Sequence, residues 1–117
     1  MADATPDSPT ASGYQRADLT RAQLDARPGR VVLDFGVNGC GYCRAAAPAV
    51  HAGLAGRPEV DHLRIEDGPG RRLGRSFGVR LWPTLIFLRD GVERARLVRP
   101  ASAEEVTEAL AALDTAP

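Results

Sequence analysis

Hydrophobic residues occur along this chain in short runs, and the order of these runs predicts an α/β fold. Val31 to Val37 is a nearly continuous apolar run of strand length, as expected for a central strand that is covered on both faces. Further strands are predicted at Val60 to Ile65 and at Leu81 to Leu88. Asp90-Gly91 then indicates a tight hairpin turn that leads into a last strand, Val92 to Val98.

Helical patterns separate these strands. Thr20 is a candidate N-cap for the first helix, Pro48 should bend the second, and Ser102 with Glu105 forms a capping box before the last. Tyr14 to Arg16 is compatible with a short edge strand. The predicted helices are Arg21 to Ala26, Arg44 to Ala55, a short helix around Leu73 and Phe77, and a closing helix with Val106, Ala109, Leu110 and Leu113 on one face. Because strands and helices alternate and a hairpin follows, we expect a central mixed β-sheet of about four to five strands flanked by helices.

The length of 117 residues fits one domain. Residues 1–13 are polar and rich in Pro, Ser, Thr and Ala, which predicts a disordered N-terminal tail ahead of a single domain over residues 14–117. The tail has neither the basic nor the apolar segment of a secretory signal peptide, so we expect a cytoplasmic protein. Apolar runs are far shorter than the roughly 20 residues of a membrane helix.

The charged residues of the chain limit the classes of function that we expect. Fifteen basic residues, all of them arginine, balance fifteen acidic ones, so the net charge is zero. Nucleic-acid binders usually carry a basic excess, and we therefore expect no nucleic-acid partner. The short apolar runs likewise lead us to expect no membrane partner. The absence of lysine excludes mechanisms that need a lysine nucleophile or a Schiff base. We expect the protein to be a monomer.

Candidate chemistry lies in the sequence Cys40-Gly41-Tyr42-Cys43, between the predicted central strand and the helix that follows it. Cysteines at this spacing on a first helical turn place their sulfurs side by side, so they can close a small disulfide ring. Cys40 meets the unpaired N–H groups and the positive end of the helix dipole, which should lower its pKa below the ordinary ~8.5. Cys43 lies one turn further in and should be the less acidic, resolving thiol.

Two other interpretations of the cysteine pair remain open at this point. It could be half of a zinc site, but only His51 and His62 remain as further ligands, and their spacing does not suit zinc. It could also be a pair of inert core cysteines. A Cys-x-x-Cys motif between a strand and a helix favours redox chemistry.

The chain resembles the thioredoxin family from about Tyr14 to Leu113. The acidic residue six positions before the first cysteine is Asp34, and Pro48 matches the proline that kinks the family's active-site helix. The segments that carry the rest of the resemblance are Val31-Val32-Leu33-Asp34-Phe35 before the cysteines, Gly78-Val79-Arg80 with Trp82-Pro83-Thr84-Leu85 at the family's cis-proline, and Arg89-Asp90-Gly91 at its last hairpin.

The family pattern is not followed everywhere. Gly39 stands where thioredoxins usually carry tryptophan, and Arg99, followed by Pro100, falls where the family has a glycine. Gly41-Tyr42 replaces Gly-Pro between the cysteines and is similar to the pair seen in periplasmic disulfide isomerases.

The resemblance implies a thioredoxin fold and a thiol–disulfide oxidoreductase. Cys40 and Cys43 would exchange a disulfide with protein substrates, with a reductase as the first expectation and a disulfide isomerase or oxidase as the alternative. A non-enzymatic adaptor or chaperone of the same fold is a further alternative. The chemistry implies no metal and no organic cofactor, and the electrons would come from a reductase or another dithiol donor.

The resemblance also assigns supporting roles. Asp34 would pass protons to and from Cys43, and His62, where the family often has lysine, would pair with Asp34 in a proton relay. The alternatives are an exposed aspartate at a strand end and an ordinary surface histidine. If the carboxylate were buried without a partner, Asp34→Asn would leave the fold intact and even stabilise it.

A substrate-binding groove is implied beside the cysteines. The Trp82–Pro83 bond is expected to be cis, with Trp82 beside Cys40 and its backbone available to an extended peptide. Arg99 would stabilise the Cys40 thiolate or attract acidic partners, or else be an ordinary solvated arginine. The expected substrate-binding residues are Gly41, Tyr42, Trp82, Pro83 and Thr84.

Overall fold

A computed structural model describes residues 13–115, so the predicted tail lies outside the described residues except for Gly13. Helices and strands alternate along the described part of the chain. In order they are α1 (Arg21–Asp25), β1 (Arg30–Gly36), α2 (Gly41–Leu54), β2 (Val60–Glu66), α3 (Arg72–Ser76), β3 (Thr84–Arg89), β4 (Val92–Val98) and α4 (Ala103–Ala111). No helix within residues 13–115 is both long and apolar enough to cross a membrane.

The strands form one mixed sheet in the order β2-β1-β3-β4. β1 runs parallel to β2 and antiparallel to β3, and the hairpin pairs β3 with β4. The suggested edge strand at the N-terminus is reduced to a single bridge between Gln15 and Ile65. This bridge nevertheless brings the segment around Tyr14 alongside β2, which matters for the site.

Apolar side chains cover both faces of the central strands, as the uninterrupted hydrophobic run of β1 predicts. One core contains Val32, Val50, Val60, Leu85, Phe87, Val106, Ala109, Leu110 and Leu113, and it joins the sheet to α2 and α4. The other contains Leu24, Val31, Leu33, Phe35, Ile65, Phe77, Ile86 and Leu88 on the opposite face. β1 is therefore held between two layers, and its carboxyl end is a fixed point from which the cysteine segment starts.

Two element boundaries differ from the sequence prediction in ways that affect the site. The second helix begins at Gly41 rather than at Arg44, because Cys40 takes the N-cap position with extended backbone angles. β3 begins at Thr84 rather than at Leu81, since Pro83 has no N–H to donate to a strand ladder. The Trp82–Pro83 bond is cis, as the sequence predicts.

Local signals were accurate at the first helix cap and at the hairpin, whereas the predicted capping box of the last helix is formed differently, because the Glu105 carboxylate accepts from the Ala101 N–H. The Thr20 side chain accepts a hydrogen bond from the Gln23 N–H, and Gln23 reaches back to the Thr20 backbone. Asp90 and Gly91 both have positive φ, at 50° and 82°, as expected for the two central residues of a tight hairpin turn.

Candidate active site

The two cysteines lie where α2 begins, immediately beyond the buried end of β1. The Cys40 N–H donates to the Val37 carbonyl at 3.2 Å, which fixes the turn before the helix. Both cysteines are free thiols, and they differ in access, because Cys40 is partly exposed whereas Cys43 is only 2% exposed. The predicted asymmetry between an accessible and an enclosed thiol is present.

Surroundings favour the thiolate of Cys40. Its slight burial opposes ionisation, but hydrogen bonds from the Cys43 backbone and thiol and from the Tyr42 backbone, together with the charge of Arg99, lower the pKa of Cys40. Backbone donors at a helix start are the physical reason that the sequence suggested for this shift. The charge of Arg99 contributes to this lowered pKa. From the sequence alone, stabilisation of the thiolate was one of two interpretations of Arg99, and an ordinary solvated side chain was the other.

Cys43 has the opposite tendency. Burial is the largest effect and raises the pKa of Cys43 to about 11, and its hydrogen bond to the Cys40 sulfur acts in the same direction. A hydrogen bond from the Val37 backbone and the nearby Tyr14 hydroxyl act against this shift by favouring the thiolate. At neutral pH Cys43 therefore holds its proton, and it needs a base before it can attack a disulfide.

The carboxylate of Asp34, on β1, is buried and has three polar neighbours. Asp34 is 2% exposed, so the alternative of an exposed aspartate at a strand end is wrong. Its Oδ2 lies 2.9 Å from His62 Nε2 and 3.6 Å from Arg64 Nε. Its Oδ1 accepts a hydrogen bond from the Tyr14 hydroxyl at 2.8 Å. The predicted contact with His62 is present, and the His62 side chain is itself only 6% exposed.

Gly36 leaves the space in which this carboxylate network meets the cysteines. A Cβ at Gly36 would lie 2.7 Å from Cys43 Sγ and 2.8 Å from the Tyr14 hydroxyl oxygen. Real Cβ atoms are not found so close to other atoms, so only glycine allows the thiol and the phenol to converge at this point.

Sequence reasoning missed Tyr14 and Arg64. The Arg64 guanidinium lies 4.3 Å from the centre of the Tyr14 ring, and its Nε has no hydrogen-bond partner among the described residues. A signal for Arg64 was available, because residues two apart on a strand point to the same side, and His62 had already been assigned to Asp34. No comparable signal existed for Tyr14, which is 20 positions from Asp34 in the sequence.

Several residues that were expected to form a substrate-binding groove beside the cysteines are engaged within the protein. Trp82 is half-buried, and its indole N–H donates to Asp67 Oδ2 at 2.8 Å. The prediction of a free Trp82 backbone is wrong for the carbonyl, which accepts a hydrogen bond from Arg99 Nε at 2.8 Å. Thr84, another expected substrate-binding residue, has a buried side chain that is 1% exposed, and its hydroxyl donates to the Leu81 carbonyl. Pro83 is also buried.

Arg99 contacts both Tyr42 and Trp82. Its guanidinium carbon lies 3.5 Å from the centre of the Tyr42 ring, which is 59% exposed between the cysteines. Its φ of 53° is in the left-handed region that favours glycine, which is the residue expected here from the family pattern. The stacking on Tyr42 and the hydrogen bond to Trp82 fix the arginine, so it is not an ordinary solvated side chain.

Residues 13–115 contain no group of three or more His, Cys, Asp or Glu side chains placed to hold a metal ion. The ring of His51 lies edge-on to the ring of His62, with centroids 6.1 Å apart. The described side chains therefore offer proton acceptors and donors to the thiol pair, but no cluster of metal ligands.

Comparisons with known proteins agree with the fold and the motif. The family model described as Thioredoxin matches residues 16–112. The structure of thioredoxin 2 from Pseudomonas aeruginosa in its reduced form is similar at 50% identity, with a TM-score of 0.79 over 88% of this chain and 95% of that one. A thioredoxin of Chlamydia muridarum is 37% identical over 70 residues, which are 60% of this chain and 69% of that protein. Protein disulfide-isomerase A2 of Pongo abelii is 36% identical over 67% of this chain, but the match spans only 16% of the isomerase.

Proposed function

The chain belongs to the thioredoxin family and is a thiol–disulfide oxidoreductase, and on that premise we propose that Cys40 and Cys43 reduce protein disulfides. The observation that carries this assignment is the unequal pair of thiols. The pKa of Cys40 is lowered, whereas burial raises the pKa of Cys43 to about 11. Cys40 is thus the more readily ionised thiol and the first nucleophile, and Cys43 keeps its proton until the second step.

Cys40 acts first in the proposed mechanism. Its thiolate attacks one sulfur of the substrate disulfide, the substrate S–S bond breaks, and a mixed disulfide with Cys40 forms while the other substrate sulfur leaves. Cys43 then loses its proton and attacks Cys40 Sγ. The mixed disulfide breaks, the reduced substrate departs, and a Cys40–Cys43 disulfide remains.

Asp34 is proposed as the acceptor of the Cys43 proton. Its burial supports this role, as does its hydrogen bond to the Tyr14 hydroxyl, which lies with Cys43 Sγ around Gly36. His62 is proposed to pass the proton onward, because it contacts Asp34 at 2.9 Å and also lines a surface groove between α2 and β2. Histidine suits this step, since its ordinary pKa is close to neutrality.

Substrate recognition is proposed on the exposed surface around Cys40. Gly41 and Tyr42 are exposed there, and the half-buried Trp82 lies at the other side of Arg99. The fixed guanidinium of Arg99 would favour substrates with acidic residues near the disulfide. By stabilising the thiolate it also favours the reduced form of the pair, so isomerisation or oxidation is the second candidate function.

We further propose that the protein acts as a monomer in the cytoplasm, where dithiol donors are kept reduced. Sulfur exchange among thiols and disulfides needs no resident metal or organic cofactor. A reductase or a dithiol donor would return the Cys40–Cys43 disulfide to the dithiol. Neither nucleic acid nor membrane is part of the proposal.

Reduction of insulin by dithiothreitol tests the proposed activity. Wild-type protein should accelerate the precipitation of the insulin chains, and Cys40→Ser should not. Cys43→Ser should accumulate a mixed disulfide between Cys40 and insulin, visible on a non-reducing gel. Catalysis that survives in Cys40→Ser would contradict the assignment of the nucleophile.

A further inference from the structure

Tyr14 occupies a position between the two groups that must exchange a proton. Its hydroxyl donates to Asp34 Oδ1 at 2.8 Å. The same oxygen and Cys43 Sγ both lie within 2.8 Å of the point that a Cβ of Gly36 would occupy. The tyrosine is 5% exposed, so bulk water does not compete freely for this contact.

The backbone around Tyr14 is held in place as well. Its N–H donates to Asn38 Oδ1 at 2.7 Å, and the Asn38 amide donates back to the Tyr14 carbonyl at 3.1 Å. Asn38 belongs to the turn that carries Cys40, so the N-terminal segment and the cysteine turn are tied together. The two hydrogen bonds between Tyr14 and Asn38 therefore hold the phenol in position at the site.

From this geometry we propose that the Tyr14 hydroxyl carries the proton from Cys43 to Asp34 during the second step of the reaction. The inference rests on the proposed roles of Cys43 and Asp34 and adds the group that connects them. Tyr14 contacts a reacting sulfur, so it is a catalytic residue in this scheme.

The proton transfer is a paired exchange. The Cys43 S–H bond breaks as its proton passes to the Tyr14 oxygen, while the Tyr14 O–H proton passes to Asp34 Oδ1. The Cys43 thiolate then forms the S–S bond to Cys40, the bond between Cys40 and the substrate breaks, and the substrate sulfur leaves with the electron pair. The cysteine pair is oxidised, the substrate is reduced, and Tyr14 ends as a neutral phenol.

The surroundings of Tyr14 favour this paired exchange over a resting phenolate. Burial and the nearby charge of Asp34 hold the pKa of the Tyr14 phenol far above its ordinary value. The titratable and charged groups that face this network are Asp34 on β1, His62 and Arg64 on β2, and Cys43 on α2. His62 is the one whose ordinary pKa is near neutrality, and it contacts Asp34 through the other carboxylate oxygen.

The test separates the two steps by stopped-flow reaction of the dithiol protein with one equivalent of dithiobis-nitrobenzoate. Attack by Cys40 releases the first coloured thiolate, and attack by Cys43 on the mixed disulfide releases the second. Tyr14→Phe should leave the first phase unchanged and slow the second about tenfold or more at neutral pH. Its second phase should also become proportional to hydroxide concentration, because water must replace the relay. Thr107→Val, which removes an exposed hydroxyl on α4, should change neither phase.

A double-mutant cycle tests whether the two groups act in one path. Combining Tyr14→Phe with Asp34→Asn should slow the second phase no more than the slower single variant does. An unchanged second phase in Tyr14→Phe, equal slowing of both phases, or additive effects in the double variant would each overturn the relay.

The unaltered protein provides a measurement that does not depend on the folding of a variant. The rate of the second phase is measured in mixtures of H2O and D2O. Because two protons move together in the relay, a plot of this rate against the deuterium fraction of the solvent should be curved, and a straight line would overturn the relay. Failure of the proposed function looks different, because wild-type protein would then lack the first or the second phase altogether.

Discussion

Replacement of Asp34 by asparagine should destabilise the protein, contrary to the expectation from sequence alone. That expectation assumed a buried carboxylate without a partner. The structure instead places Arg64, whose side chain is 9% exposed, with its Nε 3.6 Å from Asp34 Oδ2. The Arg64 Nε has no hydrogen-bond partner among the described residues, so the negative charge of Asp34, together with the Tyr14 ring, compensates for the burial of the guanidinium.

The size of the effect follows from what the amide keeps and what it loses. Asparagine still offers an oxygen to the Tyr14 hydroxyl, which retains a hydrogen bond worth about 1 kcal/mol. It loses the charge that faces Arg64, and removing one partner of a buried ion pair costs about 3–5 kcal/mol. We therefore expect the free energy of unfolding to fall by about 3 kcal/mol, at the lower end of that range.

Urea unfolding of the reduced protein at neutral pH measures this change. With a slope of about 1–3 kcal/mol per molar urea, the midpoint should fall by at least about 1 M. Asp61→Asn is the matched control on the same sheet, because its carboxylate is 57% exposed and its pair with Arg27 should be worth less than about 1 kcal/mol. Adding Arg64→Met to Asp34→Asn should restore part of the lost stability. An Asp34→Asn protein as stable as the wild type would refute this reasoning.

Three further predictions follow from the site and from the helix caps. Iodoacetamide should label Cys40 before Cys43, with a rate that levels off below the ordinary thiol pKa of ~8.5 because the Cys40 pKa is lowered, and mass spectrometry of the peptides shows the order. Arg99→Gln should raise the pKa of Cys40 in the same assay, whereas Arg96→Gln, which removes a cation paired with a glutamate on β4, should not; equal effects would remove Arg99 from the site. Ser102→Ala should lower the free energy of unfolding by about 1 kcal/mol, because the serine hydroxyl accepts the Glu105 N–H, which has no partner within the last helix, and an unchanged urea midpoint would contradict this.

Much of the fold could be predicted because its signals are local. The run from Val31, the Asp90-Gly91 turn and the N-cap at Thr20 each depend on a few neighbouring residues. The same holds for Cys40 and Cys43, whose chemistry follows from their place at a helix start. The contact between Asp34 and His62 was reached through the resemblance to a family and not through any local pattern.

Contacts between distant segments could not be predicted in this way. Tyr14 approaches Asp34 because the N-terminal segment is bridged to β2. A single β-bridge produces no sequence pattern from which it could be predicted. The Trp82 carbonyl is occupied by Arg99, which lies 17 positions away across the sheet. Thr84 was expected to bind substrate from the family resemblance, but its side chain is buried.

The reduction potential of the Cys40–Cys43 pair tests most directly the claim that this oxidoreductase works as a reductase. Equilibration with glutathione redox buffers, followed by alkylation of the remaining thiols, gives the fraction of dithiol at each ratio. The account predicts a potential at or below about −230 mV, in the direction of the ~−270 mV of thioredoxin. A value near −180 mV or above, where disulfide isomerases and strong oxidants lie at about −180 to −120 mV, would contradict the reducing direction.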